Sequence, residues 1–565
     1  MSVMAYMPYG AGGIIIRVES DIRRGIPGVD ITGLAEGAVR ESRERVRAAF
    51  RNSGFSFPQD RILINLAPAG MKKDGAALDL PIALSVMAAA GIAPVPEKIL
   101  VMGELELSGR IRPVRGVLAA IAAGLAEGIN EFIVPAENSC EAAILASAGY
   151  TASAGSAASM TGENSAGKGA QFTAAGNLQE AVHALFIRAE KGRLPMPIDA
   201  GIAGVTSANT AGNFTDDAIG DFANVRGQCV YKRALEIAAA GGHNALVFGP
   251  PGAGKTMLAR RLPSIMAPLT TDEAVEVTRL YSLAGPLSGN SSGGLHHGSS
   301  HQFIDRLITC PPFRSPHHSA SAEGILGGGR IPRPGEISLA HFGVLFLDEA
   351  PEFRINVLQA LREPLEDRVI SISRAEGPVR LPAEFQLIMA ANSCPCGRLG
   401  LRNEEGHYSG ASCFCSPEEI NRYWRKFGGA LLDRVEIRTA LLPPKTSDMA
   451  KNLPSNEEKS AAIAVRVMAA VEIQRRRFKG AGIRRNALIP PGKIETFCLM
   501  SEKAGNAIQK ALAKLGLSGR AYHGILRVAR TIADLDSKEI IETEHILEAV
   551  QHRRLGEDPW EILSL

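Results

Sequence analysis

The strongest chemical signal in the sequence is eight consecutive residues, Gly249-Pro250-Pro251-Gly252-Ala253-Gly254-Lys255-Thr256. They follow a short apolar run, Ala245-Leu246-Val247-Phe248, and precede a helical stretch from Met257 to Leu262. Strand, glycine-rich turn and helix in that order make a phosphate-binding loop. The glycines let backbone N–H groups wrap a polyphosphate, and the helix N-terminus adds positive potential. In that setting Lys255 is expected to contact the β and γ phosphates of ATP, and Thr256 to ligate Mg2+. A second apolar run, Val344-Leu345-Phe346-Leu347, ends in Asp348-Glu349. This is the pattern of a buried parallel strand with carboxylates at its C-terminal edge. Asp348 is expected to hold the Mg2+ shell and Glu349 to polarise the attacking water.

Three further residues fit a ring-forming ATPase. The apolar run Leu387-Ile388-Met389-Ala390-Ala391 leads to Asn392, placed to orient the lytic water. Leu431-Leu432-Asp433-Arg434 offers Arg434 as a finger to a neighbouring subunit's γ-phosphate, a charge that acts mainly in the transition state. Arg520, opening a helix from Ala521 to Asp534, is a candidate nucleotide sensor, with Arg527 and Arg530 as competitors on the same helix. Four cysteines form two Cys-x-Cys pairs, Cys394/Cys396 and Cys413/Cys415, with sixteen residues between them. Four thiolates suit a closed, structural Zn2+ site, and His407 is a substitute ligand; reduced thiols in a loop are the alternative. His296, His297 and His301 read as solvated loop residues, and the sequence assigns no role to His317-His318.

The elements that must position these residues fall into regions. The fold class is α/β. Residues 1–190 alternate strand-like runs (Gly13 to Val18, Arg61 to Leu66) with Ala-rich helical ones (Ala38 to Phe50, Val117 to Ala126). Within them 153–169 reads as a Ser/Ala/Gly loop, and 191–220 reads as a linker. Residues 221–445 carry the ATPase signals and the cysteine insert, and 446–565 reads as a helical lid with runs Glu457 to Arg477, Lys503 to Leu515 and Tyr522 to Asp534.

Composition excludes several classes. Among 565 residues, Lys+Arg 62 against Asp+Glu 59 gives a net charge of +3, which rules out a polyelectrolyte coat but not a local basic patch. The most apolar stretch, Leu80 to Val95, is interrupted by Pro81 and Pro94 and is too short for a membrane span. The N-terminus lacks the basic start and apolar core of a secretion signal. Eight cysteines, four of them clustered, do not make a disulfide scaffold. A cytoplasmic protein with no membrane partner is expected.

At Asp221 to Gln228, Gly241-Gly242-His243-Asn244, Pro312 to His318 and Gly327 to Ile337 the chain resembles the AAA+ module of magnesium-chelatase-like ATPases, and over nearly its whole length the ComM/YifB family within them. The resemblance implies an N-terminal domain like the protease domain of Lon, an AAA+ core and a C-terminal lid. It also implies a homo-oligomeric, hexameric ring motor using ATP and Mg2+, and a DNA helicase driving branch migration of recombination intermediates in natural transformation. Val101 to Leu105 and Gly109 to Val117 are similar to the end of a Lon protease domain. Ala stands where that fold's serine should be, within Lys73-Asp74-Gly75-Ala76-Ala77-Leu78, and Val117-Leu118-Ala119-Ala120 offers no lysine, so no acyl transfer is expected.

For DNA, branched or single-stranded, two stretches are candidates, with a solvated helix end as the alternative for the first and a partly buried helix face for the second. Arg475-Arg476-Arg477 with Lys479, Arg484 and Arg485 gives the densest positive charge, and Arg422, Arg425 and Lys426 interleave with Tyr423 and Trp424. The rival readings are a chelatase-type ATPase remodelling a protein or metallocofactor partner, and a nucleotide-gated scaffold.

Overall fold

The computed structural model describes residues 2–34, 37–73, 75–147, 170–195, 220–285, 306–374, 377–399, 413–441, 457–515 and 518–554. The expected Ser/Ala/Gly loop, most of the expected linker, His296, His297, His301 and His407 lie outside them. No helix among the described residues is long and apolar enough to cross a membrane.

The N-terminal part is built on strands β1 (Ser2–Met7), β2 (Ile14–Arg23), β3 (Gly28–Thr32), β4 (Arg61–Ala67), β5 (Leu100–Val101), β8 (Glu131–Pro135) and β9 (Gln171–Ala175), with β6 (Glu104–Leu105) and β7 (Ile111–Arg112) as a separate hairpin. The seven-stranded sheet runs β3-β4-β2-β1-β5-β8-β9 and is mixed: β2 is antiparallel to β1 and β4, and the other pairs are parallel. The apolar stretch that begins at Leu80 forms the helix Asp79–Ala89, with every residue from Asp79 to Ala88 buried. Pro81 is tolerated because it lies in the first turn, where a missing N–H leaves no intrahelical bond unmade. Asp79, fully buried, accepts from Arg45 Nε at 2.7 Å and from Leu105 N at 3.3 Å, tying the helix Gly37–Asn52 to the hairpin.

The second sheet joins β10 (Ala245–Phe248), β11 (Phe313–Arg314), β14 (Val344–Leu347), β17 (Gln386–Ala391) and β18 (Ile437–Ala440) in the order β11-β14-β17-β10-β18, all pairs parallel. Every residue of β10, β14 and β17 is buried, which is why these strands read as unbroken apolar runs. Two hairpins, β12/β13 (Gly327–Gly328, Arg333–Pro334) and β15/β16 (Val369–Ile372, Val379–Pro382), project from this unit. The helix after the phosphate loop is shorter than the sequence predicts: it spans Lys255–Ala259, and a 3-10 turn, Leu262–Ile265, follows around Pro263.

The helix Thr271–Ala284 joins the two parts. Its Val275 and Leu283 share an apolar cluster with Val117, Leu118 and Ile121, and Ser282 donates to the buried Glu141 while accepting from Gly116 N at 3.1 Å. Burial raises the Glu141 carboxyl pKa. Four C-terminal helices, Ser460–Arg477, Glu502–Leu515, Gly519–Leu535 and Thr543–Arg554, pack in one cluster with the helix Cys229–Gly241. Their polar anchor is Asp534, 1% exposed, which accepts from Arg477 Nη1 at 2.8 Å, Asn486 Nδ2 at 2.7 Å and Arg530 Nε at 3.2 Å.

Removing Asp534 leaves two guanidinium groups in an apolar setting without their carboxylate. Asp534→Ala is expected to destabilise the helical part by roughly 3–5 kcal/mol, the usual cost of breaking a buried ion pair from one side. Urea denaturation followed by far-UV circular dichroism reads it, and a change below about 1 kcal/mol contradicts the anchor role.

Candidate active site

The parallel arrangement brings three loops to one edge of the sheet. β10, β14 and β17 end at Phe248, Leu347 and Ala391, so the phosphate loop, Asp348-Glu349 and Asn392 all emerge at their C-terminal ends. Gly249 is required by packing, because a Cβ there would lie 2.5 Å from Leu441 O. Gly254 is required by conformation, with φ +87° at the start of the Lys255 helix.

Lys255, 8% exposed, donates to Gly249 O at 2.8 Å, Pro250 O at 2.9 Å and Asn392 Oδ1 at 3.0 Å. Burial lowers its pKa to about 8, against the opposing pull of Asp348 and Glu349. Thr256 Oγ1 donates to Asp348 Oδ2 at 2.8 Å, so the hydroxyl and carboxylate expected to share Mg2+ already face each other. Hydroxyl and carboxylate oxygens are the hard donors that Mg2+ takes, so the pair fits that ion. Pro251 and Gly252 are exposed, Gly254 is half-buried, and Ala253 is packed inward. Glu349 is exposed and holds φ +49°, a left-handed conformation uncommon for a residue with a Cβ, of the kind that collects at functional sites. Its Oε2 lies 3.9 Å from His318 Nδ1. The His318 ring is 4.1 Å from that of His317 and edge-on to Phe353. The histidine pair without a role in the sequence therefore stands beside the expected water-activating carboxylate.

Arg434 and Arg520 lie elsewhere. Arg434 precedes β18, and its carbonyl accepts from Asn244 Nδ2 at 2.8 Å, just before β10 begins. It therefore sits at the N-terminal edge of the sheet. Four residues of β10, at roughly 3.3 Å each, put that edge about 13 Å from the phosphate loop. The Arg434 side chain donates to Glu366, and Arg520 Nη2 donates to the same carboxylate at 2.7 Å. The hydrogen bond from Arg434 is the chief reason the Glu366 pKa is lowered. Sequence reasoning did not find Glu366, whose partners lie 68 and 154 residues away.

The four cysteine sulfurs lie within 4.8 Å of one another. Cys394 is buried, and Sγ separations are 3.3 Å for Cys394–Cys396, 3.6 Å for Cys394–Cys413 and 3.5 Å for Cys396–Cys413. Despite desolvation, N–H groups of Arg398 and Phe414 and the neighbouring thiols lower the Cys396 pKa to about 6, and burial raises that of Cys394.

Of the basic stretches expected to meet DNA, Arg477 turns inward, while Arg475, Arg476, Lys479, Arg484, Arg422 and Arg425 are exposed. Arg477 pairs with Asp534, Arg476 with Glu472 at 3.2 Å, and Arg484 with Glu273 at 3.4 Å while lying 4.1 Å over the Phe342 ring. Tyr423 and Trp424 are buried: Trp424 Nε1 donates to Ser393 O at 3.1 Å, and its ring meets Phe248 edge-on. Neither aromatic is open for base stacking. Exposed arginines also sit on the two hairpins, at Arg330, Arg333, Arg374 and Arg380, and Arg374 Nη2 donates to Gly329 O at 2.8 Å to join the hairpins.

These features define a P-loop ATPase of the AAA+ type. The sequence model of magnesium chelatase subunit ChlI matches residues 221–449, the model of its C-terminal part matches 457–553, and a further ChlI model matches 18–138. The YifB protein of Salmonella typhimurium is 38% identical over 542 residues, 96% of this chain and 94% of its own length. Competence protein ComM of Haemophilus influenzae is 38% identical over 550 residues, 97% of this chain and 96% of its own. Lon protease of Salinispora arenicola is 28% identical over 136 residues, 23% of this chain and 18% of its own. The chain belongs to the ComM/YifB family of magnesium-chelatase-like AAA+ proteins.

The depressed Lys255 pKa has a measurable consequence. A polyphosphate beside the ammonium favours its charged form, so above pH 8 the free site must take up a proton as ATP binds. Affinity is then expected to fall as pH rises above 8, approaching about tenfold per unit, while below 8 this uptake vanishes. Calorimetric titrations in buffers of different ionisation enthalpy measure the uptake, and Lys255→Arg is expected to abolish it. Equal uptake in the variant contradicts the assignment.

Proposed function

We propose that this chain is one subunit of an ATP-hydrolysing ring motor that acts on DNA, with branch migration during natural transformation as its role. The observation that carries this reading is the division of the catalytic groups between opposite edges of one sheet. Gly249 to Thr256, Asp348, Glu349 and Asn392 serve the nucleotide of their own subunit. Arg434 faces away from it and reaches the γ-phosphate only of a second copy, with Arg520 beside it on the shared carboxylate. A closed ring places each copy's arginine edge against the next copy's phosphate loop, and a hexamer is the proposed size.

In this site Lys255 leaves the Gly249 and Pro250 carbonyls for the β and γ phosphates, and Asn392 positions the lytic water that Glu349 polarises. Thr256 and Asp348 would hold Mg2+, which would supply positive charge against the developing phosphate charge. Zn2+ is the proposed occupant of the four-cysteine site. The N-terminal sheet serves as an inactive Lon-like scaffold: Ala76 and Ala77 supply no nucleophile at the loop where the related fold carries one.

DNA as partner is supported by the exposed arginines of the two hairpins, which supply phosphate contacts without sequence preference. The name of the relative from Haemophilus influenzae, a competence protein, supports the transformation role. The experiment is an ATPase assay titrated with forked, single-stranded and duplex DNA. Forked or single-stranded DNA is expected to stimulate turnover. Arg374→Ala is expected to reduce the salt slope of binding by about one contact's worth. Turnover indifferent to every DNA contradicts the motor reading and favours a chelatase-type remodeller.

A further inference from the structure

The four cysteines are built into the wall of the nucleotide pocket. Cys394 follows Asn392 by two residues, and the intervening Ser393 carbonyl accepts from Trp424 Nε1 at 3.1 Å. The Trp424 ring packs edge-on, centroids 5.3 Å apart, against Phe248, the residue that precedes the phosphate loop. On its other side the turn Cys394–Gly397 closes through Gly397 N donating to Cys394 O at 3.0 Å, with Gly397 at φ +74°. That turn abuts the phosphate loop: a Cβ on Gly397 would lie 3.0 Å from Pro251 Cδ. Cys413 and Cys415 enter the helix Pro417–Arg425, which carries Trp424 and is capped by Ser416. One four-sulfur cluster thus joins the segment bearing Asn392, the turn against Pro251 and the helix behind Phe248.

The dimensions suit a single ion. A Zn–S bond of about 2.3 Å in a tetrahedron separates sulfurs by about 3.8 Å. The observed spacings of 3.3 to 3.6 Å, all within 4.8 Å, fit one ion and leave no room for a multi-iron cage. Leu399 N donates to Cys394 Sγ at 3.4 Å, an N–H···S bond that stabilises a thiolate ligand.

We propose that Cys394, Cys396, Cys413 and Cys415 hold one tetrahedral Zn2+ that braces the nucleotide pocket, so that zinc occupancy and nucleotide affinity are coupled. This rests on the reading of the Lys255 loop as an ATP site. Coupling between bound species is reciprocal. Zinc therefore tightens nucleotide binding, and bound nucleotide retards zinc loss by the same thermodynamic factor.

The test uses the full chain purified under reducing, chelator-free conditions. Elemental analysis is expected to find one zinc per chain, and Co2+ exchanged into the site is expected to give the near-ultraviolet thiolate-to-cobalt absorption. Stripping zinc from the wild-type chain with a thiol-directed mercurial, then removing the reagent with excess thiol, is expected to weaken binding of a fluorescent ATP analogue about tenfold. Added Zn2+ restores it. ATPγS is expected to slow zinc release, and Lys255→Ala is expected to keep its zinc but lose that protection. Cys413→Ser, shown folded by circular dichroism, is expected to lack zinc and bind the analogue as weakly as the stripped protein. Substoichiometric metal with no cobalt band overturns the zinc site. Zinc-replete protein whose analogue affinity survives stripping overturns the coupling alone. Zinc-replete protein that binds no analogue overturns the nucleotide reading, and the coupling with it.

Discussion

A buried ammonium organises the site. Lys255 Nζ is held by two loop carbonyls and the Asn392 side-chain oxygen, with Asp348 and Glu349 near enough to oppose part of the desolvation. Neutral oxygens satisfy its hydrogen bonds without neutralising its charge, and burial accordingly depresses its pKa. A polyphosphate supplies the missing negative charge, so the pocket is more stable filled than empty. The same bond to Asn392 links the phosphate loop to the neighbouring strand, which makes the two loops parts of one device.

The parallel sheet then dictates what the site cannot do alone. Loops that follow β10, β14 and β17 emerge together, whereas the segment before β18 emerges at the far edge. A guanidinium there, paired to Glu366 together with Arg520, is separated from its own phosphate loop by the length of a strand. The proposed completion by a second copy rests on this geometry and on the chemistry of phosphoryl transfer, which needs positive charge on the γ-phosphate oxygens. The N-terminal sheet is tied to this machinery through the helix Thr271–Ala284, whose Ser282 meets the buried Glu141.

What the sequence made legible was local. The phosphate loop, the Asp348-Glu349 pair and the apolar strands before them are contiguous strings whose chemistry and structural context coincide. The two cysteine pairs were legible as a metal-ligand pattern, although their contact with Pro251 was not. Long-range pairing was hidden: Glu366 is an unremarked acid until the fold brings it to Arg434 and Arg520. Charge density in the sequence did not show which of these groups the fold would pair. Arg477 finds the buried Asp534, Arg476 and Arg484 pair with Glu472 and Glu273 while staying exposed, and the exposed arginines of the hairpins are spread over fifty residues of sequence. The helix at 417–425 carried both readings in its sequence, and Tyr423 and Trp424 take the buried one. Ile420, Tyr423, Trp424 and Phe427 recur at the spacing of a buried helical face, and that periodicity outweighs the neighbouring charges.

The central claim is that each ATP site is completed by a neighbouring copy through Arg434. A subunit-mixing experiment tests it most directly. Lys255→Ala and Arg434→Ala chains are each assayed for ATP hydrolysis alone and then after mixing and reassembly. Each variant alone is expected to be inactive, while mixed rings regain partial turnover wherever an intact phosphate loop meets an intact arginine. Full turnover by Arg434→Ala alone, or the absence of recovery in rings shown to contain both variants, contradicts the account.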